Sequence, residues 1–189
     1  MKKLLLITGD LACGKSTFGR ILSKRYHTVM LCKDTFKEAL GDTIGFANRE
    51  ENLKLSKASV ELMTLLFGEC AALGKDLILE ANFRTHELEK LHRLAEEAGY
   101  SVLTLVFRAD TPLLHKRYLN RVHNENRHPV HVLAVLDIYE DFEVYIARAR
   151  EEFVPGDTLL VDANDFSYQT DEALLEKLDG FMGRERGYV

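Results

Sequence analysis

The sequence predicts an α/β protein of three layers, with helices on both faces of a five-stranded parallel sheet. Two observations carry this. Five short apolar runs, at 4–8, 28–32, 77–81, 102–107 and 158–161, alternate with intervals long enough for a helix, the alternation that builds a parallel sheet. The runs are also nearly continuous in apolar residues, as strands covered on both faces must be. A chain of 189 residues, 46% hydrophobic and 29% charged, suits one domain over 1–189 with a full core.

Met1-Lys2-Lys3 before Leu4-Leu5-Leu6-Ile7 imitates the start of a secretory signal, but Gly9-Asp10 and Lys15 end the apolar run far short of a membrane-inserting length. It is read as the first core strand. Next, Gly9-Asp10-Leu11-Ala12-Cys13-Gly14-Lys15-Ser16-Thr17 fits Gly-x-x-x-x-Gly-Lys-Ser, and Phe18, Ile21 and Leu22 then take up helical spacing. Gly9 and Gly14 let the backbone curl so that the N–H groups around Ala12 and Cys13, with the helix N-terminus, face one anion. Lys15 adds a mobile positive charge and Ser16 an oxygen for magnesium, so the loop is built for a nucleoside triphosphate.

Asp34 follows the second run, where it either caps the next helix or, at the rim it shares with the phosphate loop, takes the proton of an acceptor hydroxyl. The segment at about 36–74 is not needed for the sheet. It reads as an acceptor-side helical insertion, with Leu55, Val60, Leu62, Met63, Leu66 and Phe67 able to line one apolar face. Leu77-Ile78-Leu79 ends in Glu80, placed to hold magnesium directly or through water. Asn82 and Arg84 follow at the same rim, where Arg84 is either an anion contact or an ordinary helix-start arginine.

After the fourth run, Thr111-Pro112 starts a helix carrying Arg117 and Arg121 four residues apart on one face. The polar tract from Arg117 to Pro129 is read as a lid, at about 117–131, in which the arginines and Arg127 clamp the transferring phosphoryl group. His123, His128 and His131 share this tract without a zinc-binding spacing; bracing the lid or contacting an acceptor fits them better. Pro155-Gly156 makes a turn before the last run.

Three cysteines, Cys13, Cys32 and Cys70, form no close pair, which fits reduced thiols in a cytoplasmic protein. A net charge of −5, no tryptophan and no aromatic residues stacked among basic ones argue against nucleic acid and favour a small acceptor.

With these residues in place, the chain resembles the small phosphate-loop kinases, in the branch of zeta-toxin-like kinases, chloramphenicol phosphotransferase, gluconate kinase and the phage polynucleotide kinase domain. The resemblance covers nearly the whole length, through the nucleotide loop and the looser Lys33-Asp34-x-x-Lys37, Glu80-x-Asn82 and Arg127-His128-Pro129. It implies the sheet order 2-3-1-4-5 of nucleoside monophosphate kinases, with ATP and Mg2+ as cofactors. It further implies Lys15 on the β and γ phosphates, Ser16 on magnesium and Thr17 on the α phosphate. Asp34 would be the base, Arg121 or Arg127 the lid cation, and Asn164, with Arg117, would lie on the nucleotide side. Asp34 paired with Lys37 keeps a polynucleotide 5′-hydroxyl open as an acceptor beside the favoured small molecule. A nucleotide-operated switch is the other class of reading; the guanine-specifying Asn-Lys-x-Asp is absent from the sequence.

Overall fold

The computed structural model describes residues 2–125 and 127–183. Met1 of the N-terminal run, Asn126 of the lid tract and residues 184–189 of the domain lie outside them. The order is β1 (Lys2–Gly9), α1 (Lys15–Tyr26), β2 (Val29–Cys32), α2 (Lys33–Ile44), α3 (Arg49–Ala72) and β3 (Leu77–Glu80). There follow α4 (Thr85–Glu97), β4 (Tyr100–Arg108), α5 (Thr111–Asn124), α6 (Tyr139–Arg150), β5 (Thr158–Asp162) and α7 (Glu172–Met182). Every strand pairing is parallel, and the sheet runs β2-β3-β1-β4-β5.

Strand β1 is central and buried on both faces, and its side chains divide the core by the two-residue period of a strand. Leu5 and Ile7 face α1, α5, α6 and α7, against Phe18, Leu22, Leu114, Phe142 and Leu178. Leu4 and Leu6 face α3 and α4, against Met63, Phe67, Leu88 and Leu91. Coverage thins at the edge strands, where Val29 of β2 is 51% and Leu160 of β5 72% exposed. Register aligns the strand ends: Ile7 lies beside Glu80, Cys32 beside Glu80, and Gly9 beside Phe107. The carboxyl ends of β1, β2 and β3 therefore meet at one rim, the edge at which open parallel sheets bind ligands.

One expected segment is corrected. The insertion is two helices rather than one stretch, and α2 starts at Lys33, immediately after β2. Leu55, Val60, Met63 and Phe67 bury the inner face of α3, but Leu62 and Leu66 are 38% and 39% exposed, because a 24-residue helix lying on one sheet face turns them outward. The lid tract begins on the helix predicted to start at Thr111-Pro112. Residues Arg117 to Asn124 continue α5, and the chain returns through short 3₁₀ turns at Pro129–His131 and Ala134–Asp137 before α6. No described helix is long and apolar enough to cross a membrane.

Candidate active site

The loop between β1 and α1 depends on its two glycines. Gly9 has φ 119°, and a Cβ there would stand 2.2 Å from the carbonyl oxygen of Phe107 on β4. Gly14 has φ 85°, and a Cβ would stand 2.4 Å from the Tyr168 hydroxyl. Glycine is thus required by both the left-handed backbone and the close approach of neighbours. Ala12 is also left-handed, with φ 61°. Lys15 is buried and its ammonium donates to the carbonyls of Gly9 at 3.1 Å and Asp10 at 2.5 Å, which parks a full positive charge inside the curl. The Cys13 thiol donates to the Asp10 carbonyl, and burial pushes its pKa up, so it stays protonated.

At the rim, the Ser16 hydroxyl donates to Glu80 Oε2 at 2.8 Å, and the Cys32 thiol donates to the same oxygen at 2.9 Å. Burial and Glu80 beside it raise the Cys32 pKa to about 11, so the thiol remains a donor. A hydroxyl and a buried carboxylate side by side at the start of α1 are a hard-oxygen pair suited to magnesium, which takes one or two protein oxygens and fills the rest with phosphate and water. Ser16 and Glu80 fit that ion; among the described residues no cluster of three or more acidic, His or Cys side chains gathers to hold one alone.

Across the cleft, Asp34 sits in the first turn of α2. It does not cap that helix: Cys32 is the N-cap residue, and no side chain caps there. Its carboxylate instead accepts from Arg127 Nη2 at 3.1 Å, with His131 Nδ1 at 3.8 Å from its other oxygen. Burial works to raise its pKa, but His131, Arg127, Lys15 and Lys33 together outweigh it and hold the carboxyl below the usual range. Asp34 is therefore ionised at neutral pH. Arg121, one turn before the end of α5, lines the same cleft and makes no hydrogen bond or ion pair with any described residue. Burial lowers its pKa, with Arg127 nearby adding to the effect. An arginine with no anion of its own, facing a phosphate loop, is a cation waiting for a ligand.

Several expected site residues are placed otherwise. Lys37 lines the cleft but is buried and donates to Asn52 Oδ1 at 2.6 Å and the Val130 carbonyl at 2.9 Å, so it ties α2 to α3 and the lid turn. Arg84 lines the cleft but is paired with Glu152, at 2.9 Å, whose other oxygen accepts from Thr85. Asn82 stays at the rim of the cleft. Arg117 does not line the cleft; its guanidinium donates to the carbonyls of Ala163 and Asn164 and lies 4.6 Å from the Phe166 ring centre. Asn164 accepts from the Asp110 backbone N–H at 2.8 Å. These two brace the segment after β5, which leans on the phosphate loop through Tyr168 and the Cys13 carbonyl.

One cluster had no visible signal in the sequence. Asp10, fully buried in the phosphate loop, accepts from Arg108 at 2.8 Å and from Arg150 at 2.6 Å. Arg108 ends β4 and Arg150 ends α6, so this triad anchors the loop to two distant elements. No spacing rule links positions 10, 108 and 150.

The cleft enclosed by these groups has a volume of about 510 Å³ and runs from the phosphate loop to the start of α3. A family model described as an AAA domain, AAA_33, matches residues 4–144. The chain belongs to this family. Its structure is similar to that of a protein from Chloroflexus aurantiacus j-10-fl designated a kinase, with a TM-score of 0.81, 26% identity and coverage of 95% of this chain and 98% of that one. A sugar kinase from Janibacter sp. HTCC2649 has the same fold, with a TM-score of 0.61 at 14% identity over 97% of this chain and 95% of that one. So does the tunicamycin resistance protein of Deinococcus radiodurans, with a TM-score of 0.61 at 17% identity over 94% and 96%. No sequence among curated proteins matches the chain significantly. The fold is that of the phosphate-loop kinases.

Proposed function

We propose that the protein is an ATP-dependent phosphotransferase that moves the γ-phosphate of ATP to a hydroxyl of a small molecule. One observation carries this reading: Asp34, ionised, faces the buried Lys15 loop across a single cleft that Arg121 and Arg127 also line. A glycine turn of structural purpose alone has no use for a carboxylate and two arginines opposite it. The similarity to a protein designated a kinase supports the same class.

In this mechanism the curled loop and the α1 N-terminus hold the β and γ phosphates, and Lys15 leaves the loop carbonyls to neutralise them. Ser16, and Glu80 directly or through water, would hold magnesium, which would supply Lewis-acid polarisation of the phosphate oxygens. Asp34 orients the acceptor hydroxyl and takes its proton as the oxygen bonds to the γ-phosphorus and the bond to the β–γ bridging oxygen breaks. Arg121 and Arg127 meet the equatorial oxygens, where charge spreads in the transition state. ADP leaves with that bridging oxygen.

ADP release measured with and without a panel of hydroxyl compounds tests the reading. Stimulation by an acceptor, lost in Lys15→Ala, is expected. ATP hydrolysis that no acceptor changes, or full turnover in folded Lys15→Ala, would overturn it in favour of a switch or a purely structural loop.

A further inference from the structure

The charge of the cleft contradicts the charge of the chain. The protein carries a net −5, yet the cleft is lined by nine lysines and arginines against four carboxylates. All four carboxylates are already engaged. Asp34 holds Arg127, Glu38 holds His131 at 2.9 Å, Glu80 accepts from the Ser16 hydroxyl and the Cys32 thiol, and Glu87 accepts from the Arg84 backbone N–H. On the other side of the balance, Lys33 and Arg49 have no hydrogen-bond or ion-pair partner among the described residues.

Their placement separates them from the triphosphate. Lys15 and Arg121 serve the phosphate loop, whereas Lys33 opens α2 directly before Asp34, and Arg49 opens α3 on the insertion side of the cleft. Ser56 and the half-exposed Leu53, from the same helix, complete that wall. We propose that the wall formed by Lys33 and Arg49 is the acceptor subsite, and that it selects a small hydroxyl compound carrying an anionic group, a carboxylate or a phosphate monoester. This rests on the phosphotransferase reading above.

Two physical points support it. Burial, Lys33, Arg49 and Arg127 push the pKa of Lys37 down to about 8, against the opposing pull of Asp34, so positive charge is crowded around Lys37 at this wall. An anion settling there relieves that crowding, while a neutral sugar or nucleoside would desolvate the charges and leave them uncompensated. In addition, Lys33 and Asp34 line the same cleft and Lys33 acts on the Asp34 carboxylate, so an anion held by Lys33 brings its hydroxyl into the cleft that holds the base.

The test saturates the protein with the β,γ-imido analogue of ATP and magnesium, which fills the phosphate loop, and then titrates inorganic sulfate by calorimetry. A saturable sulfate site is expected, with Kd raised at least tenfold in Arg49→Gln and in Lys33→Gln. Lys90→Gln, on α4 and paired with Glu61, should leave it unchanged. Analogue affinity in each variant reports that the fold is intact. Glycerol 3-phosphate and 3-hydroxypropionate are then used to displace the sulfate, which separates a phosphate monoester from a carboxylate, with 1,3-propanediol as the neutral control. No saturable sulfate in the analogue-bound protein, wild-type affinity in both variants, or displacement by the diol alone or by none of the three would overturn the anionic acceptor and leave the phosphotransferase standing. Failure of the analogue itself to bind would remove both.

Discussion

At the scale of single residues, Asp34 is where the proposed proton transfer can be separated from structural support. Since it caps nothing and its carboxylate is turned to Arg127, Asp34→Asn should leave stability and nucleotide affinity near wild type. The amide still accepts from the guanidinium but takes no proton, so acceptor phosphorylation should fall on the order of a hundredfold or more. Turnover and nucleotide titration on the same sample check this; unchanged turnover would return Asp34 to an ion-pair role. Lys37 makes a different prediction. Its folded pKa of about 8 lies below the ordinary lysine value of 10.5, so between these limits the unfolded chain holds a proton that the folded one has released. Its contribution to stability is therefore complete above pH 10.5 and lost as pH falls through 8. Denaturant melts should show wild-type stability climbing relative to Lys37→Met from pH 8 to 10.5, and a flat difference would contradict the burial of its charge.

Among the elements, α5 and the turn behind it present Arg121 and Arg127 to the cleft and Arg117 to the segment after β5. Arg121 and Arg127 look into the cleft, so Arg121→Ala and Arg127→Ala should each lower the single-turnover rate, on the order of a thousandfold if they act as arginine fingers, with little loss of ATP affinity. Arg117→Ala should do the reverse, weakening nucleotide binding through the Ala163–Phe166 segment and sparing the rate at saturation. Near-wild-type single-turnover rates in both cleft variants would dismiss the clamp. The turn at Pro129–His131 is seated on α2 at Gly41, where a Cβ would come 2.4 Å from Val130 Cγ1. Val130 cannot yield freely, because its carbonyl is held by Lys37 and Asn52. Gly41→Ala should thus lower stability by about 1–3 kcal/mol despite alanine's better helix propensity, measured by urea unfolding, because the overpacking exceeds the backbone gain. What the sequence made legible follows the range of the interaction. The strands, the glycine loop and Glu80 as the carboxylate ending an apolar run are local pattern and could be read directly. Lys37 in the core, Arg84 on Glu152 and the Asp10–Arg108–Arg150 triad are contacts across long separations, which no periodicity encodes. Arg117 and Arg121 share one helix face by spacing alone, and only the fold shows that Arg121 lines the cleft while Arg117 turns to the segment after β5.

For the whole molecule, the sheet register explains why function and stability are joined at one edge. The carboxyl ends of β1, β2 and β3 place the phosphate loop, Asp34 and Glu80 together, while Asp10 secures that loop to the ends of β4 and α6. Filling the loop therefore acts on every layer at once. A ligand that binds only the folded state stabilises it by RT ln(1 + [L]/Kd), about 2.7 kcal/mol at a hundredfold excess over Kd. Millimolar ATP with magnesium should accordingly raise the melting temperature by several degrees, on the order of the shift that such a free energy gives a domain of this size. Lys15→Ala removes the buried ammonium from the Gly9 and Asp10 carbonyls, so its unliganded melting temperature will itself move, and the informative quantity is the ATP-induced increment within each protein. That increment should collapse in Lys15→Ala and persist in Asp34→Asn, since one variant loses the phosphate contact and the other only the proton acceptor. Equal increments in wild type and Lys15→Ala would mean that ATP binds elsewhere, and the cleft at the strand ends would lose its assignment.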